Sequence, residues 1–142
     1  RGRKTLVLKD VTIEGSSGQG LYSDNGLSFL CDSMTFTQCG RTGVYAKNTK
    51  GRLINCVITQ CGLSGIYCGS NALIELEGDQ TKVDGNGTSG YGGCYGLSTY
   101  DTSSIIHLLF PLTKESVSTN NHGGRNYNSR GTIQTVDTFE SL

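Results

Sequence analysis

The sequence predicts an all-β fold, a right-handed parallel β-helix solenoid of about five coils, and three observations carry that prediction. The segment Phe36-Thr37-Gln38-Cys39-Gly40-Arg41-Thr42-Gly43-Val44-Tyr45 recurs 22 positions later as Ile58-Thr59-Gln60-Cys61-Gly62-Leu63-Ser64-Gly65-Ile66-Tyr67. Apolar residues alternate with period two inside short runs, the spacing of a strand with one buried face. Glycine is dense, with 21 residues in 142, and each would weaken a helix by roughly 1 kcal/mol.

The elements follow from extending the repeat in both directions. The anchors Ile13, Phe36, Ile58, Val83 and Val117 are separated by 23, 22, 25 and 34 residues, and each is followed seven positions later by Gly20, Gly43, Gly65, Gly90 or Gly124. Such drift fits a solenoid whose coils keep their strands and vary their loops. Val11-Thr12-Ile13-Glu14, Met34-Thr35-Phe36-Thr37 and Cys56-Val57-Ile58-Thr59 each place inward residues around an outward one, as do Leu21-Tyr22-Ser23, Val44-Tyr45-Ala46 and Ile66-Tyr67-Cys68. Strands that recur once per coil with no helix between them pair in parallel, about 4.8 Å apart. Three interior ladders result: the anchors, then Leu21-Val44-Ile66, then Leu8-Cys31-Leu53. In coil four Gly90 and Gly96 compete for the turn, and Tyr91–Ser103 is expected to hold a protruding loop. Pro111 cannot donate to a central ladder and marks an edge or bulge in coil five. Lys4–Leu8 begins as strand, and Thr132–Phe139 alternates as strand again.

Composition sets the function classes. Twelve Lys and Arg balance twelve Asp and Glu, so charge does not call for nucleic acid as partner. The opening Arg1-Gly2-Arg3-Lys4 reads as solvated terminal charge. No run of eighteen apolar residues is present to span a membrane. The chain is expected to form one domain over residues 1–142, as part of a longer chain or of an assembly, since a solenoid end exposes apolar interior and a free strand edge. Neither terminus offers a long amphipathic capping helix, so at least one end is expected to meet a protein partner or an identical copy.

The recurring Gly-[Leu/Val/Ile]-Tyr after a Thr-Gln-Cys-Gly or Asp-Gly-Asn-Gly turn resembles the repeats of right-handed β-helix proteins of the pectin-lyase-like class, over roughly residues 5 to 137. That class includes polysaccharide lyases and hydrolases, phage tailspikes and non-catalytic modules. The resemblance implies fold more than activity, because one fold hosts many functions.

Polysaccharide cleavage needs two closely placed carboxylates, one to give a proton and one to activate water or attack. Asp24, Asp32, Asp79, Asp84 and Asp101 are scattered, with no Asp-Asp pair, and Asn121-His122-Gly123-Gly124-Arg125 reads as a glycine-rich turn; no catalytic residue is assigned. Tyr22, Tyr45 and Tyr67 each follow an inward residue and should project from one face of three adjacent coils, where phenol rings and hydroxyls could receive a glycan or a partner protein. The competing reading is that like side chains stack for their own packing. Ser16, Cys39, Cys61, Asn86 and Asn120 form a polar turn ladder, read as structural, and Gln38 over Gln60 reads the same way.

No Cys-x-x-Cys occurs among the six cysteines, and His107 and His122 lie far from them in sequence, so neither a metal site nor a cofactor is implied. Cys31, Cys56 and Cys68 fall at inward positions. Cys39 and Cys61 stack one coil apart, close enough for a bridge to be conceivable. Buried reduced thiols point to a reducing compartment, whereas Asn86-Gly87-Thr88 matches a glycosylation acceptor. The leading functional expectation is a non-catalytic recognition or scaffold module binding protein or glycan along a coil face. The alternative is a divergent polysaccharide lyase or hydrolase fragment.

Overall fold

A computed structural model describes residues 5–139 as a stack of coils, each contributing one strand to three parallel sheets. Coil one holds β1 (Thr5–Lys9), β2 (Thr12–Glu14) and β3 (Leu21–Asp24); coil two holds β4 (Ser28–Asp32), β5 (Thr35–Thr37) and β6 (Val44–Lys47). Coil three follows with β7 (Lys50–Ile54), β8 (Val57–Thr59) and β9 (Ile66–Cys68), and coil four with β10 (Leu73–Glu77), β11 (Lys82–Asp84) and β12 (Leu97–Thr99). Coil five has β13 (Ile105–Leu109), the single-turn helix α1 (Lys114–Val117) and β14 (Ser118–Thr119), and β15 (Thr132–Val136) opens a sixth turn beyond the five expected. Sheet A stacks β1-β4-β7-β10-β13-β15, sheet B stacks β2-β5-β8-β11-β14 and sheet C stacks β3-β6-β9-β12.

The corners between sheets require left-handed backbone, and the same corner recurs in register from coil to coil. Asp10, Ser33, Asn55 and Gly78 turn the chain from sheet A to sheet B; Gly15, Gln38, Gln60, Gly85 and Asn120 end the sheet B strands; Asn25, Asn48 and Asn71 turn it back to sheet A, all with φ between 50° and 99°. Asn and Gly suit this region, while Gln does not by propensity. Most of these corners are fastened by an N–H to a carbonyl of the next coil: Asp10 donates to Asp32, Gly15 to Thr37, Ser33 to Ile54 and Gln38 to Thr59.

All three ladders read from the sequence are present. Ile13, Phe36, Ile58 and Val83 stack in sheet B, Leu21, Val44 and Ile66 in sheet C, and Leu8, Cys31 and Leu53 in sheet A. Coil five departs by one residue, because Val83 pairs with Ser118, not Val117. Val117 instead closes α1, where it is still buried. The helix forms because Thr113 and Ser116 cap each other, each backbone N–H donating 3.0 Å to the other's hydroxyl, a reciprocal cap that satisfies two orphan donors. The same shift makes Asn121, not Asn120, the fifth member of the polar ladder, and removes Gly124 from the turn series. In coil four Gly96, not Gly90, precedes the sheet C strand, since Gly65 donates to Tyr95 and Ile66 to Gly96 as Gly43 and Val44 do to Ser64 and Gly65. The protruding segment is therefore Gly85–Gly96, ahead of β12, and Pro111 sits in the turn after β13, outside every ladder.

The interior is filled by complementary volumes across coils. In sheet A the inward column reads Leu6, Phe29, Gly51, Ile74, Ile106 and Ile133. A Cβ on Gly51 would fall inside the Phe29 ring, so the large and small residues form one packing unit. Gly51→Ala should destabilise the fold by about 1–3 kcal/mol through overpacking. Adding Phe29→Leu should return part of that loss in a double-mutant cycle followed by urea unfolding; strictly additive losses would contradict the pairing.

Candidate functional site

Sheet C carries the tyrosine face. Alternation turns Leu21, Val44 and Ile66 inward and Tyr22, Tyr45 and Tyr67 outward in direct register, with Ser98 taking the rung in coil four. Tyr22 and Tyr45 meet edge to face, centroids 5.0 Å apart at 64°, while Tyr45 and Tyr67 are stacked at 4.7 Å and 27°. The rings thus use much of their surface on each other, at about 0.5–1.5 kcal/mol per pair beyond area burial. Tyr22 Oη donates to Asp24 Oδ2 at 3.2 Å. The structural reading of the ladder, like rings stacked for their own packing, is present in this geometry.

At the end of the ladder a pocket of about 230 Å³ is lined by Tyr45, Lys47, Tyr67, Gly69, Ser70 and Tyr100. Tyr100 escaped the sequence reading. It follows β12 at the level of Gly69, as its N–H donation to Cys68 shows, and the long insertion in coil four disguised that frame. The correct turn glycine, Gly96, is the signal that locates it. Burial raises the Tyr67 phenol above its ordinary value, and neighbouring Tyr45 and Tyr100 add to the rise while Arg130 opposes it. Beside the pocket Ser103 donates its hydroxyl and backbone N–H to Asp101, holding that carboxyl below its usual range, and Ser70 Oγ donates to the other carboxylate oxygen at 3.4 Å. The rim therefore combines aromatic walls, an ammonium group, a hydroxyl and an ionised carboxylate.

The remaining candidates are held apart or serve the scaffold. Among the described residues no three of His, Cys, Asp and Glu come together in a metal-binding group. Asp84 accepts from Thr119 Oγ1 at 2.7 Å and Asn120 Nδ2 at 3.0 Å, fastening a corner. His122 opens a short 3₁₀ turn and packs beside Gly87. Asn86 is buried, its Oδ1 accepting from Cys61 N and its Nδ2 donating to Ile58 O, both at 3.0 Å. In the folded chain that side chain is not presented as a glycan acceptor. Asn121 repeats the arrangement one coil on, accepting from Asn86 N at 2.9 Å, so the polar ladder is structural.

All six cysteines are free, and all but Cys94 are buried. Burial pushes the Cys31, Cys61 and Cys68 thiols up to about 12, so they act as small apolar groups.

The family described as right handed beta helix region matches residues 1–137, so the chain belongs to that family. Neither a curated protein nor a solved structure matches it significantly.

The thiols make a pH prediction. A folded pKa above the unfolded one favours the neutral form, so the contribution is fully present below the unfolded value near 9 and lost as pH rises toward 12. Chemical denaturation should show stability falling from about pH 9 upward. Replacing Cys31, Cys61 and Cys68 together with Ala should flatten that slope, and an unchanged slope would refute the assignment.

Proposed function

We propose that this right-handed β-helix chain is a non-catalytic recognition module that holds a glycan along the tyrosine face of sheet C, anchored in the pocket between Tyr67 and Tyr100. The observation that carries the reading is that pocket. It lies where the ladder ends and is lined by Tyr45, Tyr67 and Tyr100 together with the polar side chains of Lys47 and Ser70. Ligand sites of this kind combine apolar contact with a few placed polar groups that fix orientation. The rings of Tyr22, Tyr45 and Tyr67 extend the same face over three coils, which suits a ligand longer than one sugar. The carboxylates at this face are engaged in local hydrogen bonds, Asp24 with Tyr22 and Asp101 with Ser70 and Ser103, which supports binding over cleavage.

A second, protein-binding reading draws on the ends of the solenoid. At the far end Leu112, Val117 and Ile133 are buried, whereas in coil one Leu8, Ile13 and Leu21 are only half-buried and Leu6, Val7, Val11 and Leu27 are exposed. The first coil is thus the end suited to meet a partner protein or another copy.

A glycan array followed by calorimetry tests the leading reading. Tyr67→Ser and Tyr100→Ser should each weaken the selected glycan about tenfold, roughly 1.4 kcal/mol. Tyr91→Ser, in the exposed loop away from the pocket, should leave affinity unchanged. Equal affinity in all three variants would exclude the pocket. Release of reducing ends from the glycan, lost on replacing Asp84 or His122, would establish the enzymatic alternative instead.

A further inference from the structure

The polar turn ladder changes chemistry along its length. In its last two rungs an amide oxygen accepts the backbone N–H of the rung before: Asn86 Oδ1 from Cys61 at 3.0 Å, Asn121 Oδ1 from Asn86 at 2.9 Å. In the two rungs before those, a sulfur takes that place. Cys39 accepts from the Ser16 N–H and Cys61 from the Cys39 N–H, a weaker bond because sulfur is a poor acceptor. Both cysteines follow a left-handed glutamine, Gln38 or Gln60, and both turn inward, at 1% and 0% exposure. Register holds their backbones together on either side, through the Thr37–Thr59 rung and the Gly62 N–H, which donates 2.8 Å to the Cys39 carbonyl. Stacked coils stand about 4.8 Å apart, inside the range of about 4.4–6.8 Å between Cα atoms that a disulfide spans. The sulfurs also face each other. Cys61 Sγ lies 4.0 Å from the Phe36 carbonyl, in the coil of Cys39, and its S–H donates to the Cys39 sulfur. The other inward thiols are held differently. Cys56 Sγ donates to the Cys31 and Ile54 carbonyls at 3.5 and 3.4 Å, and Cys68 Sγ to those of Ala72 and Ile105 at 3.2 and 3.3 Å.

We propose that Cys39 and Cys61 are an oxidisable pair, which a peroxide converts to a disulfide that staples coil two to coil three. The two thiols have different parts in the reaction. Burial raises the Cys39 thiol, but the Cys61 S–H and the Ser16 N–H oppose that rise, whereas Cys61 is pushed up to about 12. The thiolate, which is the nucleophile, therefore forms first at Cys39. It attacks one oxygen of hydrogen peroxide, the O–O bond breaks, and hydroxide leaves and takes up the proton that Cys39 had released. Cys39 is then a sulfenic acid. The Cys61 sulfur next attacks the Cys39 sulfur and displaces its hydroxyl, which leaves as water with the Cys61 proton. Two thiols and one peroxide thus give one disulfide and two waters. A protonated Cys61 suits the second step, because its hydrogen departs with the leaving hydroxyl. The oxidant enters at the corner, where Gly40, next to Cys39, is exposed and has no side chain to cover it. The bridge puts a covalent link where the ladder has its weakest hydrogen bonds. It ties together the coils that carry Tyr45 and Tyr67, whatever binds to those rings.

The test uses the full chain carrying Cys94→Ser, which removes the one partly exposed cysteine. The reduced protein is treated with hydrogen peroxide, quenched with acid and weighed by mass spectrometry. The intact mass should fall by two hydrogens, fragmentation of the digest should join Cys39 to Cys61, and dithiothreitol should restore every thiol. The oxidised chain should unfold at a urea midpoint higher by about 1 M. Adding Cys31→Ala should leave the bridge intact, and adding Cys39→Ser should abolish it. Adding Cys61→Ser should strand the sulfenic acid on Cys39, where dimedone captures it. A bridge that maps to Cys31 and Cys56, or inward thiols that all stay free in the folded protein, overturns the proposal. If a variant does not fold, the unaltered chain is oxidised and mapped alone. Linked Cys39 and Cys61 fragments there support the pair, and oxidation confined to Cys94 overturns it.

Discussion

Everything in this molecule depends on vertical register: a residue in one coil must sit directly above its counterpart in the next. Most left-handed corners donate their N–H to the following coil, so the corners help set the height of the coil as well as the direction of the chain. Asp10 over Ser33 over Asn55, and Gly15 over Gln38 over Gln60, show the same backbone conformation carried by different side chains. The stacking imposes the geometry there, against the local preference of Gln. Length changes fall outside the ladders, the largest at Gly85–Gly96 and in the turn and helix between β13 and β14, with changes of a few residues at the corners that follow β9, β10 and β12. Within the strands the register is kept.

The surface properties follow from that repetition. A tyrosine at one outward position, repeated in three coils, becomes a ring stack, and a pocket forms between its last two members and Tyr100. The outer face of sheet A shows the converse. There the repetition places Glu75 outward in β10, between Arg52 of β7 and His107 of β13, and a non-repeating tail makes that position interior. Regular positions make extended surfaces, and irregular segments make the enclosed places on them.

The sequence disclosed whatever the repeat controls. The first three coils, their interior ladders and the alignment of Tyr22, Tyr45 and Tyr67 were legible because local alternation and the 22-residue period agree there. Coil five was misread by one position because Val117 is apolar and buried, the two properties by which an anchor is recognised; only the Thr113–Ser116 cap reveals that it belongs to a helical turn. Gly90 imitated the turn glycine because its spacing from Val83 matches the earlier coils, although an insertion had already displaced the true turn to Gly96. Tyr100 was lost with that frame. The burial of Glu75 had no local signal at all, since its cover comes from residues more than sixty positions later, and alternation alone assigns it to solvent.

Inter-strand contacts between backbone protons test the account most directly, because they report register without reference to side-chain packing. Nuclear Overhauser spectroscopy on the labelled chain should connect the strand containing Phe36 with that containing Ile58, and should link Val83 with Ser118 in parallel register. Contacts that align Val83 with Val117, or that place the Phe36 and Ile58 strands away from each other, would contradict the coil-by-coil stacking on which the tyrosine face and the Cys39–Cys61 pair both stand.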